Sequence, residues 1–268
     1  MITPRLDAHT TGDLLWFADD AAVAAGILVA FTARLGGVSK PPYDTLNLAV
    51  RVGDDRADVM ENRRRAGGAA GFDAGRLTLA MQVHAADIAD VGPDDSGVVG
   101  EADGLFTAAP GPVLAILAAD CAPVALWGTD GVAIVHAGWR GLVAGVVAKG
   151  VERVGAVHGA WIGPAIHACC YEVGPEVVAA FREAGFPVAD ESHVDPGRAA
   201  CVALRQAGVE RLVMSDLCTS CDPRFFSYRR DGVTGRHGAF VSLSSLEHRR
   251  GDASSSLEHR RGDASSRA

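Results

Sequence analysis

The sequence predicts an α/β fold of mixed sheets flanked by helices. Three observations carry this reading: apolar runs of strand length, helical patterns interleaved with them, and Gly- or Pro-bearing turns between. An extended segment, 27–32 (ILVAFT), leads into a loop where Gly36, Gly37, Pro41 and Pro42 block regular structure. Residues 58–70 read as a helix with Asp58 at its start and Gly67 and Gly68 weakening its end. Two buried strands follow, 77–84 (LTLAMQVH) and 113–119 (VLAILAA), the second stopping where Asp120, Cys121 and Pro123 begin. After the turn at Thr129, Asp130 and Gly131, a third strand covers 132–136 (VAIVH). The apolar spacing of 142–154 suits one helix packed on a sheet, and 161–164 reads as a strand ending in a turn. Helices at 175–184 and 196–207 each begin with Pro, and 209–214 supplies a last strand before Cys218.

Residues 1–243 are expected to form a single compact domain and 244–268 a polar tail. From 245 the unit SLEHRRGDASS is repeated in tandem. Its Gly and Ser content opposes a supercoiled helix despite the 11-residue period, so a mobile segment without catalytic role is expected.

With 268 residues, 48% of them hydrophobic, the chain has ample material for one large core. The net charge is −8, and the tail contributes +1 (five Arg against two Glu and two Asp), leaving −9 on the body. That acidity argues against a nucleic-acid partner, whereas a small anion needs only a local cluster of arginines and backbone donors. No secretory signal pattern or membrane-length apolar stretch is evident, so a cytoplasmic, membrane-free protein with no obligate protein partner is expected. In that setting the six cysteines read as free thiols or metal ligands. Cys218 and Cys221 form a C-x-x-C pair without an evident matching pair, and adjacent Cys169 and Cys170 read as packing thiols.

Three residues at the ends of the apolar runs, His84, Cys121 and His136, offer a metal a nitrogen, a sulfur and a nitrogen. Ligands gather beyond strand ends in α/β sheets, and three protein ligands leave zinc a fourth, open position of the catalytic kind. The spacings of 37 and 15 residues match no local zinc motif. A buried hydrophobic Cys and hydrogen-bonded strand-end histidines remain the alternative.

The surrounding segments resemble the family once called multicopper polyphenol oxidases or laccase-domain proteins, identified as zinc-dependent purine nucleoside phosphorylases, with bacterial members also called peptidoglycan editing factors. The resemblance runs from FTARLGGVS (31–39) and YDTLNL (43–48) through VGDD (52–55), ENR (61–63), QVH (82–84), ADG (102–104), ADCAPV (119–124) and HAGWRG (136–141). It continues in IGPAI (162–166), YEVG (171–174), CTSCDPRFFSYRRD (218–231) and TGR (234–236). Ala85, Ala122 and His167 depart from the family pattern without removing a ligand. The resemblance implies zinc on His84, Cys121 and His136, with purine nucleosides and inorganic phosphate as substrates. It implies phosphorolysis of adenosine, inosine and methylthioadenosine to free base and pentose 1-phosphate, and adenosine deamination.

Within that frame Asp120 and Arg140 are the catalytic candidates. Asp120 would move a proton or orient a ligand, as would Asp103. Arg140, before an expected helix, and Arg34, in a Gly-rich loop, would bind an oxyanion, surface ion pairs being the plainer role. Asn47 and Gln82 would orient ribose or an oxygen at the metal, a loop hydrogen bond and a strand-edge contact being their simpler readings, and Tyr171 would stack on a purine, an apolar rim position explaining it almost as well. Arg229 and Arg230 read as solvated or paired with Asp231, outside the site. Copper-dependent phenol oxidation is a weaker reading, because three ligands do not supply several copper centres. A hydrolase of cell-wall peptides using Cys121 as nucleophile, or a noncatalytic editing factor with a structural metal, stands beside it.

Overall fold

The computed structural model describes residues 2–244, so the tail reading lies outside the described residues from 245 on. A hairpin of β1 (Asp7–Thr11) and β2 (Leu14–Ala18) passes through α1 (Asp20–Ala24) to β3 (Ile27–Thr32). Helix α2 (Arg56–Ala70) follows the long loop. It starts two residues before the sequence expectation because Asp55 caps it, accepting from the Ala57 amide; Gly71, at φ 79°, closes it.

The chain then steps between two sheets through β4 (Leu77–Met81), β5 (Ile88–Asp90), β6 (Gly97–Glu101), β7 (Gly104–Thr107), β8 (Val113–Ala118) and β9 (Ala122–Gly128). Next come β10 (Val132–Ala137), α3 (Trp139–Val143), α4 (Val146–Val154) and β11 (Val157–Ile162). Helices α5 (Pro175–Glu183) and α6 (Pro196–Gln206), strand β12 (Leu212–Met214), the short α7 (Tyr228–Asp231) and β13 (His237–Leu243) complete the order.

One sheet has the strand order β1-β2-β3-β13-β8-β4-β6 and the other β12-β11-β9-β10-β7-β5. Both mix parallel and antiparallel pairs, in agreement with the expected α/β class. The apolar runs alternate by face because strand side chains point to opposite sides in turn. In β8, Leu114 and Ile116 enter the core between the sheets, where they meet Phe31, Ile134, Trp161 and Val241. Val113 and Ala115 face the other way and pack with Leu79, Phe240 and residues Ala66 and Ala70 of α2. On the far side, Val124, Leu126, Ala133 and Val135 lie under α4, α5 and α6, against Val147, Phe181 and Leu204. Strands buried on both faces therefore read as continuous hydrophobic runs.

Four expectations change. The strand expected over 161–164 is β11, which starts at Val157 and ends at Ile162. Strand β4 ends at Met81, so His84 lies in the turn beyond it. The helix expected over 142–154 is two helices, α3 and α4, parted at Gly145, whose φ of 83° interrupts the helical path. Pro123 does not end strand structure: β9 begins at Ala122, and Pro123 sits opposite His136 in the pairing with β10. Among the described residues no helix is long and apolar enough to cross a membrane.

Candidate metal centre and its cavity

The three steps from one sheet to the other supply the chemistry. His84 lies on the β4–β5 crossing, Asp103 on β6–β7, and Asp120 and Cys121 on β8–β9. His136 faces them near the end of β10. The ligand atoms of His84, Cys121 and His136 all lie within 4.8 Å of one another. His136 and Asp120 are buried, Cys121 is half-buried and His84 is exposed, so the cluster opens on the His84 side.

Asp103 holds this arrangement from behind. Its carboxylate accepts backbone N–H bonds from Val83 (3.1 Å), His84 (3.0 Å) and Ala85 (2.6 Å), and meets His136 Nδ1 at 2.8 Å. Its carbonyl also accepts from the His136 amide at 2.7 Å. With Nδ1 bound to a carboxylate, His136 presents Nε2 as its ligand atom, the usual carboxylate–histidine arrangement at metal sites. Burial opposes the Asp103 anion, but these bonds outweigh it and hold the carboxyl below its ordinary range. Among the described residues the non-glycine residues with positive φ are His84 (61°) and Asp120 (96°). Left-handed backbone at two non-glycine positions is costly, and here it is confined to the site, where the Asp103 bonds hold the turn at His84.

Burial raises the Cys121 thiol, yet the charge of His136 and hydrogen bonds from His136 and His84 prevail and bring it down to about 6. Burial lowers His136, but Cys121 and Asp103 prevail and raise it to about 9. Each partner thus favours the charged form of the other, and a cation can take the place of the imidazole proton between them. The donors fit zinc: two imidazoles and one thiolate, of borderline softness, with one side open. Gly138 keeps the space clear. A Cβ there would lie 3.0 Å from His84 Cδ2 and 3.3 Å from Cys121 Sγ.

The cluster opens into a cavity of about 840 Å³ whose walls include Met81, Gln82, Trp139, Ile166, Tyr171 and Tyr228, within the range of small-ligand sites. Gln82 lines it while its side-chain amide pairs with Leu117, Nε2 donating to the carbonyl (3.0 Å) and Oε1 accepting the amide (3.1 Å). These side-chain bonds tie the segment after β4 to β8 beyond the last paired residues, Leu79 and Ala115. Asp120 also lines the cavity; its carboxylate accepts from Thr219 Oγ1 and from the Arg229 amide, each at 2.7 Å. Tyr171 forms one wall with the Arg229 guanidinium 5.1 Å from its ring centre. Burial above all pushes its phenol up to about 12, which keeps it a neutral donor.

Other sequence candidates lie differently. Arg34 is not among the lining residues: its Nε donates to the Asp44 carbonyl, and its guanidinium pairs with Asp44 and Asp231 while lying over Phe226. Asn47 is fully buried away from the cavity lining. It donates to Ala49 and Asp54 and accepts from the amides of Ala49 and Arg236, so its bonding capacity goes to the loops. Arg140 is exposed, stacked 4.5 Å from the ring centre of Trp139 rather than lining the cavity itself. In contrast Arg229, read from sequence as solvated, lines the cavity together with Arg51, Arg63 and Arg236. Among the described residues none of these four forms an ion pair with a carboxylate. Burial lowers the pKa of both Arg63 and Arg236. All but Arg51 stand inside the quoted motifs, which was the available signal. Arg230 pairs with Asp231 as read.

Residues 28–244 match the family model described as multi-copper polyphenol oxidoreductase laccase. The chain belongs to this family. Among its curated relatives, purine nucleoside phosphorylase YfiH of Shigella flexneri is 38% identical over 231 residues, covering 81% of this chain and 94% of the relative. A purine nucleoside phosphorylase of Deinococcus radiodurans is 39% identical over 239 residues, covering 84% and 92%. The crystal structure of YlmD from Geobacillus stearothermophilus superposes with a TM-score of 0.81 at 34% identity, over 90% of this chain and all of that one. The laccase-family match thus covers every residue of the centre and every strand from β3 onward, leaving β1 and β2 outside it.

Proposed function

We propose that this chain is a zinc-dependent purine nucleoside phosphorylase with additional adenosine deaminase activity. The observation that carries the phosphorolytic reading is the cavity itself: a His84, Cys121 and His136 centre and four arginines without carboxylate partners share one space in an acidic protein. The names of the relatives support the substrate class. Zinc bound by the three ligands would supply Lewis-acid polarisation of an oxygen at the open position.

The chain's own groups do the rest. Arg63, Arg229 and Arg236 bind phosphate as an anion and stabilise the charge that leaves with the purine. Arg140 adds positive charge from the cavity rim. Tyr171 offers a ring edge and a neutral O–H to the nucleoside, and Gln82 fixes the strand end that carries His84. Asp120, anchored by Thr219 and Arg229, orients the substrate hydroxyls or passes the proton needed by the leaving group. Arg34 and Asn47 act on substrate only through the loops they brace. Adenosine, inosine and methylthioadenosine are the expected nucleosides, and the cytoplasm the expected compartment.

The test is product analysis with adenosine and inosine, with and without phosphate, on zinc-loaded protein. Pentose 1-phosphate formed only with phosphate is expected, together with inosine from adenosine without it. No product from either nucleoside overturns the proposal. Cys121→Ala is expected to abolish turnover and to lower zinc content while circular dichroism stays native; unchanged zinc and turnover would remove Cys121 from the ligand set.

A further inference from the structure

Four of the remaining cysteines also converge. Cys169 and Cys170 come from the segment between β11 and α5, and Cys218 and Cys221 from the loop after β12. Their four sulfurs lie within 4.8 Å of one another. The sixth cysteine, Cys201, is elsewhere, against Met214. Cys221 Sγ is 3.3 Å from Cys169 Sγ and 3.2 Å from Cys170 Sγ, well beyond the roughly 2.05 Å of a disulfide. All four are free thiols. A tetrahedron of sulfurs at zinc–sulfur bonds of about 2.3 Å has edges of about 3.8 Å, so the thiols are already near that spacing.

The loop is also folded onto these sulfurs: the His167 amide donates to Cys218 Sγ at 3.4 Å, the kind of outer contact that orients a ligand sulfur. The Arg230 guanidinium, paired with Asp231, lies against the same loop and donates to the carbonyls of Thr219, Ser220 and Asp222, which braces the turn that carries Cys218 and Cys221. Cys218 is buried while Cys169 and Cys221 are exposed, so one side is held by the protein and the other admits an ion.

We propose that Cys169, Cys170, Cys218 and Cys221 form a second metal site, a closed four-thiolate centre for zinc or another soft divalent cation. Four protein ligands leave no open position, so its role is structural. It ties two segments that build the cavity wall. Cys169 and Cys170 immediately precede Tyr171. Cys218 forms a bridge with Ala165, the Thr219 amide donates to Ala165, and the Thr219 hydroxyl donates to Asp120. The Ile166 amide donates to the Asp120 carbonyl. Closing the four thiols on one ion therefore fixes Tyr171, Ile166 and the support of Asp120 in one unit.

The test is metal analysis of the purified full chain under reducing conditions. Wild-type protein, Cys121→Ala, and two variants at exposed positions, Cys169→Ser and Cys221→Ser, are compared, with circular dichroism as the check on folding. Each serine variant is expected to hold one zinc fewer than wild type, whereas Cys121→Ala retains the four-thiolate ion. Cobalt-loaded Cys121→Ala is expected to keep the intense sulfur-to-cobalt charge-transfer absorption of a tetrathiolate, and the serine variants to lose most of it. The serine variants, not Cys121→Ala, decide the matter, so failure here is separable from failure of the nucleoside reading. Two results overturn it: unchanged zinc in folded Cys169→Ser and Cys221→Ser, or an intact mass four hydrogens light, which would mean two disulfides in place of a metal.

Discussion

At the residue scale, Gly138 gives the sharpest handle on the metal centre. Its φ of −68° is one that alanine adopts without strain, yet a Cβ there would press on His84 and Cys121, with His136 Cε1 in ordinary contact at 3.6 Å. Gly138→Ala is therefore expected to weaken zinc binding by roughly 10-fold or more, the scale of perturbing groups that orient ligands, while the unfolding midpoint of the metal-free protein barely moves. Competition with a chromogenic chelator measures it, and wild-type affinity would show that the ligands have slack. The three residues of the candidate centre were legible in the chain because each stands in a distinctive motif. Asp103 was named with the correct alternative role, orienting a histidine. Arg229 was not legible as a cavity residue: its neighbours Arg230 and Asp231 suggested a solvated cluster, and only the fold turns its side chain over Tyr171. Asn47 shows the opposite failure, a motif residue whose donors and acceptor are all consumed by the loops.

At the element scale, strand cores read clearly and their ends did not. The continuous apolar runs over 27–32, 113–118 and 132–137 are local properties, but past Met81 it is the Gln82 side chain that bonds Leu117, a contact 35 residues away that no local pattern shows. Helices α3 and α4 share an apolar pattern that looked continuous, and Gly145 parts them. Nothing lies within 4 Å of a Cβ built on Gly145, so an alanine there meets only the backbone cost of φ 83°. Gly145→Ala is expected to destabilise the protein by about 1–2 kcal/mol, read as a lowered denaturation midpoint at unchanged m-value. A neutral or stabilising result would mean that the two helices can join into one.

At the scale of the whole molecule, acid stability tests the packing between the strands. His237 of β13 is buried beside Phe225, and neither ring nitrogen has a partner. Burial, and secondarily Arg236, lowers it from 6.5 to about 3. The unfolded chain takes up this proton near 6.5 and the folded chain only near 3, so between those values the unfolded state binds more protons and stability falls as pH falls. Above 6.5 the group contributes no slope. Relative to His237→Phe, wild-type protein is expected to lose about 2 kcal/mol more between pH 7.5 and pH 5. Equal losses in denaturant titrations would place the charged ring in contact with solvent.

Read by itself, the sequence determined the α/β class, the apolar strands, the family and the candidate histidine, cysteine and histidine donors, because apolar runs and motif identity are local properties of the chain. Only the tertiary structure decided that three crossings in the same direction, β4–β5, β6–β7 and β8–β9, bring His84, Asp103 and Cys121 to one place. It also decided that Arg51, Arg63, Arg229 and Arg236 line one cavity and that Cys169 and Cys170 meet Cys218 and Cys221. The physical reason is the same in each case: such groups are separated by tens to more than a hundred residues, and strand pairing and sheet packing set their distances, which no spacing along the chain encodes.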